Sequence, residues 1–372
     1  MAYTLAHVDQ LITQVAELLW GFMDREVFTI ENVPHPRGVA VTIGSVQPFP
    51  EAIARVFADA TTQLRAAIEH TIFAEVEHHL GRDLTQQEAR SIEMPAFITE
   101  ELFDGWLAHR TRLQISAFAP DAELVSRIRL LQPFQCDEPA DHPMRLLAEY
   151  TNFAKHRAPA VTTVRVGPVM LDREAPGLEV VQYDDPVPAR PGDVLVFGPR
   201  RTKVGVSIYP LIASQRPHTE TWHVLMRELG DLADWVRKEA IPMLVSGTAA
   251  VSPLAPGIDI SIGHESLDEA LLEARQETAF ELNQTRVLAR GLREDFANNL
   301  AEASRGTLSV EAANRWLDGL DDAGVVSRFD QIGFAPNPAE ALRAWRVLKS
   351  LVREAIAAIA VGVEDEDSKP ET

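Results

Sequence analysis

Between residues 161 and 212 the helical periodicity of this chain gives way to four short β-rich runs. They are VTTVRVGPVML (161–171), GLEVVQY (177–183), DVLVFG (193–198) and KVGVSIYPLI (203–212). Pro, Gly and Asp separate them, so together they read as an antiparallel meander. On both sides the apolar residues recur at helical spacing. The predicted fold class is therefore α+β: mainly helical, with a small antiparallel sheet at about 161–212 and a C-terminal helical domain.

Leu5, Val8, Ile12, Val15, Leu18 and Leu19 predict a first helix over 5–24, and VAVTIGSV (39–46) predicts a strand. Ile53, Phe57, Ala60, Leu64 and Ile68 form the stripe of a long second helix over 51–80, stopped by Gly81. Further helices are expected at 85–92, 99–112, 121–131, 142–154 and 218–240, the last ended by Pro242. SGTAAVSPLAPG (246–257) is the natural linker, because it is small, uncharged and contains Pro. Helices at about 265–303, 309–321 and 338–361 follow. The expected organisation is a helical domain with a β meander over 1–248, a C-terminal helical domain over 258–362 and a disordered acidic tail over 363–372.

At 372 residues the chain is long for one hydrophobic core, in keeping with two domains. A net charge of -20 argues against a broad duplex-DNA surface, since phosphate binding needs clustered Lys and Arg. The single cysteine, Cys136, excludes an internal disulfide and fits a reducing compartment. Asp9 and Glu17 interrupt the apolar residues at the start, which therefore read as an amphipathic helix and not as a leader; no apolar run is long enough to span a membrane. The expected location is cytoplasmic.

Two polar groupings carry the candidate chemistry. In LRAAIEH (64–70), Arg65 and Glu69 are one turn apart and can pair, whereas His70 lies roughly 140° around the axis from Arg65. They converge only if a bend or a partner element meets both flanks. In NFAKHR (152–157), Lys155, His156 and Arg157 end a helix, where cations complement the helix dipole. In the structural interpretation Arg65 and Glu69 pair at the rim of the core and His70 bonds a neighbouring carbonyl. In the functional one the groups surround an anion, with an acid/base histidine beside a phosphate-binding arginine.

These two stretches, with MPAF (94–97) and LLQPFQ (130–135), resemble in order an uncharacterised family of bacterial proteins. Its members carry L-R-S-A-L-D-H, F-P-I, L-Q-P-Y and N-x-D-K-H-R, and Glu69 and Ala154 stand here where they have Asp. The resemblance covers about residues 40–240 and implies a shared fold. The Arg65-to-His70 spacing is also similar to the R-x(4 to 6)-H motif of HEPN ribonucleases, which implies metal-independent RNA cleavage at a dimer interface.

Two functions follow as expectations. In the first, the chain is a HEPN-like endoribonuclease of stress response or phage defence: Arg65, His70 and His156 are catalytic, while Asn152, Lys155 and Arg157 hold RNA as a local basic patch. In the second, it is a non-enzymatic interaction or scaffold protein, and the same residues are a polar network joining the second helix to the 142–154 helix. Homodimerisation suits either, and a protein partner is expected for the C-terminal domain. No cofactor is implied, since phosphate-loop, dinucleotide and nucleophile-elbow motifs are missing from the sequence. No metal is implied either: Glu75, Glu77, His78 and His79 do not match HExxH spacing. LSVEAANRWLDGLDDAGVVSRF (308–329) has the outline of a helix-turn-helix, but its acidic second half disfavours DNA.

Overall fold

A computed structural model describes residues 1–109, 112–173, 175–181, 188–200, 205–250, 254, 257–333 and 337–367. Its elements in order are α1 (Ala2–Met23), β1 (Phe28–His35), β2 (Gly38–Val46), α2 (Glu51–Leu80), α3 (Gln86–Ala89), α4 (Glu100–Leu107), α5 (Glu123–Leu130) and α6 (Pro143–His156). There follow β3 (Thr162–Leu171), β4 (Glu179–Val180), β5 (Val194–Gly198), β6 (Val206–Gln215), β7 (Trp222–Val224), α7 (Leu225–Trp235) and α8 (Ile241–Ser246). The last elements are α9 (Leu267–Leu272), α10 (Ala279–Ser304), α11 (Val310–Asp318), α12 (Asp322–Ile332) and α13 (Pro338–Asp367). The mainly helical α+β class is as expected. No helix of the described residues is long and apolar enough to cross a membrane.

α2 is central to the first unit because its apolar stripe is wholly covered: Ile53, Phe57, Leu64, Ile68, Ile72 and Val76 are all fully buried. Two of its threonines are buried as well. Thr61 and Thr71 donate to the carbonyls of Ala58 and Ala67 at 3.0 and 2.8 Å, which satisfies the hydroxyls inside the core. Gly81, at φ 64, takes the left-handed conformation that stops the helix. α1 lies antiparallel to α2, with Phe22 against Phe49 at one end and Thr4 on His70 at the other.

α6 starts on a histidine cap. His142 Nδ1 accepts the Met144 amide at 3.1 Å while its ring packs edge-on against Trp235. Only the neutral imidazole can accept there, and burial lowers the His142 pKa to about 4. The folded value lies below the unfolded one of 6.5, so the unfolded chain takes up the proton first and stability falls as pH drops from 6.5 towards 4. The full shift corresponds to about 3 kcal/mol, and partial exposure reduces that to about 1–2. His142→Asn, a cap that does not titrate, is expected to flatten this part of the urea-stability profile.

The four β-rich runs do not form one meander. They divide between two sheets, β1-β2-β5-β4 and β3-β6-β7, all of whose pairs are antiparallel. β3 pairs directly with β6, while β5 crosses to β2, where the fully buried Leu195 and Val196 lie alongside Ala40 and Val41. Residues 182–183 and 203–204 of the predicted runs lie outside the described residues.

Several helices also differ from expectation: α4 stops at Leu107 and not at 112, and α12 lies where none was expected. The 218–240 helix begins at Leu225, because Trp222–Val224 pairs with β6 as a strand. It continues past Pro242 to Ser246 through a π turn at Val236–Ala240, whose wider spacing accommodates the missing proline donor. The expected 265–303 helix is two helices, α9 and α10.

The chain forms two compact units, Met1–Ala279 and Phe280–Thr372. The boundary thus falls after α9, beyond the 246–257 segment proposed as linker. Residues 257–279 stay with the first unit for a physical reason: Ile258 and Ala270 pack on Ala6 of α1, and the Ala279 amide donates to Asp9. The second unit is helical, with Phe296, Leu300, Trp316, Leu317, Leu351 and Val352 at its core. α13 extends to Asp367, into the stretch expected to be a disordered tail, and residues 368–372 lie outside the described residues.

Candidate functional site

The geometry separates the residues that the sequence put forward. Arg65 Nε donates to Glu69 Oε1 at 3.4 Å, and the other Glu69 oxygen accepts the Met94 amide at 2.9 Å. Burial raises the Glu69 pKa, against which the Met94 hydrogen bond and Arg65 act. His70 turns the other way, as its place on the helix requires. Its Nδ1 lies 3.1 Å from Thr4 Oγ1 on α1, and burial followed by the positive amino terminus lowers its pKa.

Asn152, Lys155, His156 and Arg157 are exposed at the C-terminal end of α6, where Arg157 stacks over the Phe153 ring at 5.6 Å. This end does not reach His70. Tyr150 packs on Phe57 at 5.2 Å, and Phe57 lies thirteen residues before His70, or about 20 Å along α2. The direction of α6 increases the separation. Its His142 end meets Trp235, next to Arg237, which bonds the Leu5 carbonyl beside Thr4 and so marks the His70 end. His156 consequently lies on the order of 30 Å along the helix axes from His70. Within one chain the two basic groupings do not enclose a common anion.

The shared motifs have a different common role. Segment 94–97 belongs to no helix or strand, so side chains satisfy part of its backbone. Glu69 takes the Met94 amide. Gln132, fully buried, accepts from the Phe97 amide at 3.2 Å and donates to the carbonyls of Pro95 and Ile128 at 3.1 and 3.2 Å. LRAAIEH, MPAF and LLQPFQ are thus three parts of one clasp between α2 and α5. Gln132→Ala is expected to cost about 2–3 kcal/mol in urea unfolding, since three backbone groups lose partners at once.

A second buried polar cluster was missed in the sequence. Arg216, just past β6, grips Glu228 of α7 with two bonds, Nε to Oε1 at 2.7 Å and Nη2 to Oε2 at 2.9 Å, and reaches Asp141 at 2.6 Å. Tyr150 donates to Glu228 Oε1 at 3.1 Å. Burial and then the Glu228 charge raise the Tyr150 pKa, while burial and then Arg216 lower that of His223. The sequence signal was an acid on an apolar stripe: Glu228 lies among Leu225, Leu229 and Leu232, where an unpaired carboxylate is not tolerated.

Thr221, His223 and Glu228 have the order of a hydroxyl–imidazole–carboxylate relay, with Thr221 Oγ1 3.0 Å from His223 Nε2. The carboxylate is already occupied, however. Its oxygens bond Arg216 and Tyr150, and His223 Nδ1 is 3.9 Å away, beyond hydrogen-bond reach. The cluster fastens the β6–β7 hairpin to α6 and α7. Among the described residues no group of three or more His, Cys, Asp or Glu side chains could hold a metal ion. In the second unit Arg328 of α12 is bound to Glu354, and Asp322 of the helix-turn-helix outline accepts from Arg293 of α10 at 3.1 Å. Comparison with family models, curated proteins and solved structures finds no match.

Proposed function

We propose that this chain is a non-enzymatic interaction or scaffold protein in which Arg65, Glu69 and His70 serve the fold. The observation that carries this reading is the divergence of the nominated groups. Arg65 and Glu69 face the 94–97 segment, His70 faces α1, and Lys155, His156 and Arg157 lie at the far end of α6. An anion-cleaving site needs these groups within a few ångströms of one phosphate. The polar network joins α2 to the 94–97 segment and α5, and not to α6.

A HEPN-like endoribonuclease is the competing proposal. It draws support from the R-x4-H spacing and from an exposed His70 whose lowered pKa keeps the imbidazole neutral and able to accept a proton near neutral pH. One experiment separates them. Purified protein incubated with single-stranded RNA and a chelator is expected to leave the RNA intact, and His70→Ala is expected to shift the melting temperature by about 2 °C or less. Cleavage that disappears in a folded His70→Ala variant establishes the nuclease instead.

A further inference from the structure

We propose that α13 of the second unit pairs antiparallel with α13 of a second copy of this chain, about a two-fold axis between Ile356 and Ala357. Leu351, Val352 and Ala355 turn one face of α13 into the core of its own unit. Arg346, Lys349, Arg353, Ile356, Ala357 and Ala360 recur at three- and four-residue spacing on the far side, and all are exposed. This face is basic at one end and apolar at the other. The last turn of the same helix then reads EDED, over 364–367.

That order runs against the needs of an isolated helix. Acids in a last turn meet the negative end of the macrodipole, and Arg346 and Lys349 lie more than about 20 Å up the axis, too far to offset them. Nor are the cations neutralised by their own surroundings. Among the described residues Arg346, Lys349 and Arg353 form no ion pair: Lys349 lies over the Trp345 ring at 5.5 Å, Arg353 Nε donates to the Lys349 carbonyl at 3.4 Å, and the neighbouring Glu354 is held by Arg328. In a chain of net charge -20 this stripe lacks the acid that would match it.

An antiparallel copy answers both problems at once. Counting outward from the axis, Lys349 stands level with the partner's position 364 and Arg346 with its position 367, so the basic half of each helix runs beside the acidic turn of the other. Arg353 comes level with the partner's Ala360, which leaves room for the arginine stem, and Ile356 with its Ala357. Ile356, 38% exposed in the single chain, is thereby covered. A parallel pair sets like charges together along the whole overlap. An unrelated acidic helix matches only the basic half, whereas a second α13 matches both halves over about 32 Å, from Arg346 to Asp367.

The inference does not rest on the proposed function, since a dimer that cleaves RNA overturns that reading and leaves this one intact. Sedimentation of the full chain at micromolar concentration is expected to show a dimer, weakened in about 0.5 M NaCl because the charges are screened. Arg346→Glu with Lys349→Glu is expected to weaken dimerisation by more than about tenfold, and so is Glu364→Lys with Asp367→Lys. Mixing the two variants is expected to restore a dimer between them. In a Cys136→Ala background, Ile356→Cys is expected to give a disulfide-linked dimer with diamide, and Lys349→Cys far less of one, because its two copies lie about 22 Å apart along the axes. A monomer at every concentration overturns the proposal, including one that binds single-stranded RNA through Arg346 and Lys349. So does a dimer that the folded charge-reversed variants retain, or a mixture of them that stays monomeric; should a reversed variant not fold, failure of the Ile356→Cys cross-link overturns it.

Discussion

Glu228→Ala is expected to lose about 3–5 kcal/mol of unfolding free energy, among the largest effects of any single substitution in this chain. Glu228 is 5% exposed at its side chain and holds both arms of Arg216 as well as the Tyr150 hydroxyl. Its removal leaves a buried guanidinium with only the exposed Asp141 as counter-charge, and a buried phenol without its carboxylate acceptor. Replacing Arg216 and Glu228 together by Met and Leu removes both charges and is expected to recover a large part of the loss. Urea titrations of the two single variants and the double variant measure this directly. Costs that simply add indicate a pair that is not coupled in the folded protein.

Arg237→Met is the second large loss expected, again about 3–5 kcal/mol. The π turn brings this fully buried arginine to α1, where it bonds the Leu5 carbonyl at 3.1 Å and Asp9 at 3.0 Å, and to the Leu254 carbonyl at 2.6 Å. Asp9 also takes the Ala279 amide, so one ion pair ties the segment after α8 to the first helix. Burial raises the Asp9 pKa, with Arg237 the largest opposing influence. A raised carboxyl contributes stability below its unfolded pKa and loses it as pH rises through the folded value. Without Arg237 the folded value rises further. The deficit of Arg237→Met relative to the parent is therefore expected to shrink as pH is lowered from about 7 towards about 4. Asp9→Asn in the same chain is expected to reduce the deficit at neutral pH.

The long helices were legible because each has one decisive local cue. α1 and α2 carry unbroken apolar stripes, and Gly81 stops the second of them. β1 was not legible, since FTIENVPH presents Glu31, Asn32, Val33 and Pro34 to solvent and shows no apolar alternation. The division into two sheets was hidden for another reason: which strand β5 joins depends on a surface some 150 residues earlier, and local pattern contains no record of it. Pro242 misled because a proline ends a helix only where no wider turn precedes it.

The site followed the same rule. Helical spacing correctly put Arg65 beside Glu69 and His70 on another flank. It could not show that NFAKHR sits at the opposite end of the helix layer, because that depends on the direction in which α6 crosses α2. Gln132 and Glu69 were singled out by a shared motif, but what they share is a clasp around an unpaired segment. The Arg216 cluster draws on five distant positions, and only Glu228, an acid among leucines, announced it locally.

The most direct measurement is the distance between positions 70 and 156. Spin labels on His70→Cys and His156→Cys in a Cys136→Ala chain, diluted with unlabelled protein so that only pairs within one molecule report, are expected to give a distribution centred at about 25–35 Å. A dominant population below about 15 Å contradicts the separation of the two basic groupings, and the scaffold reading with it.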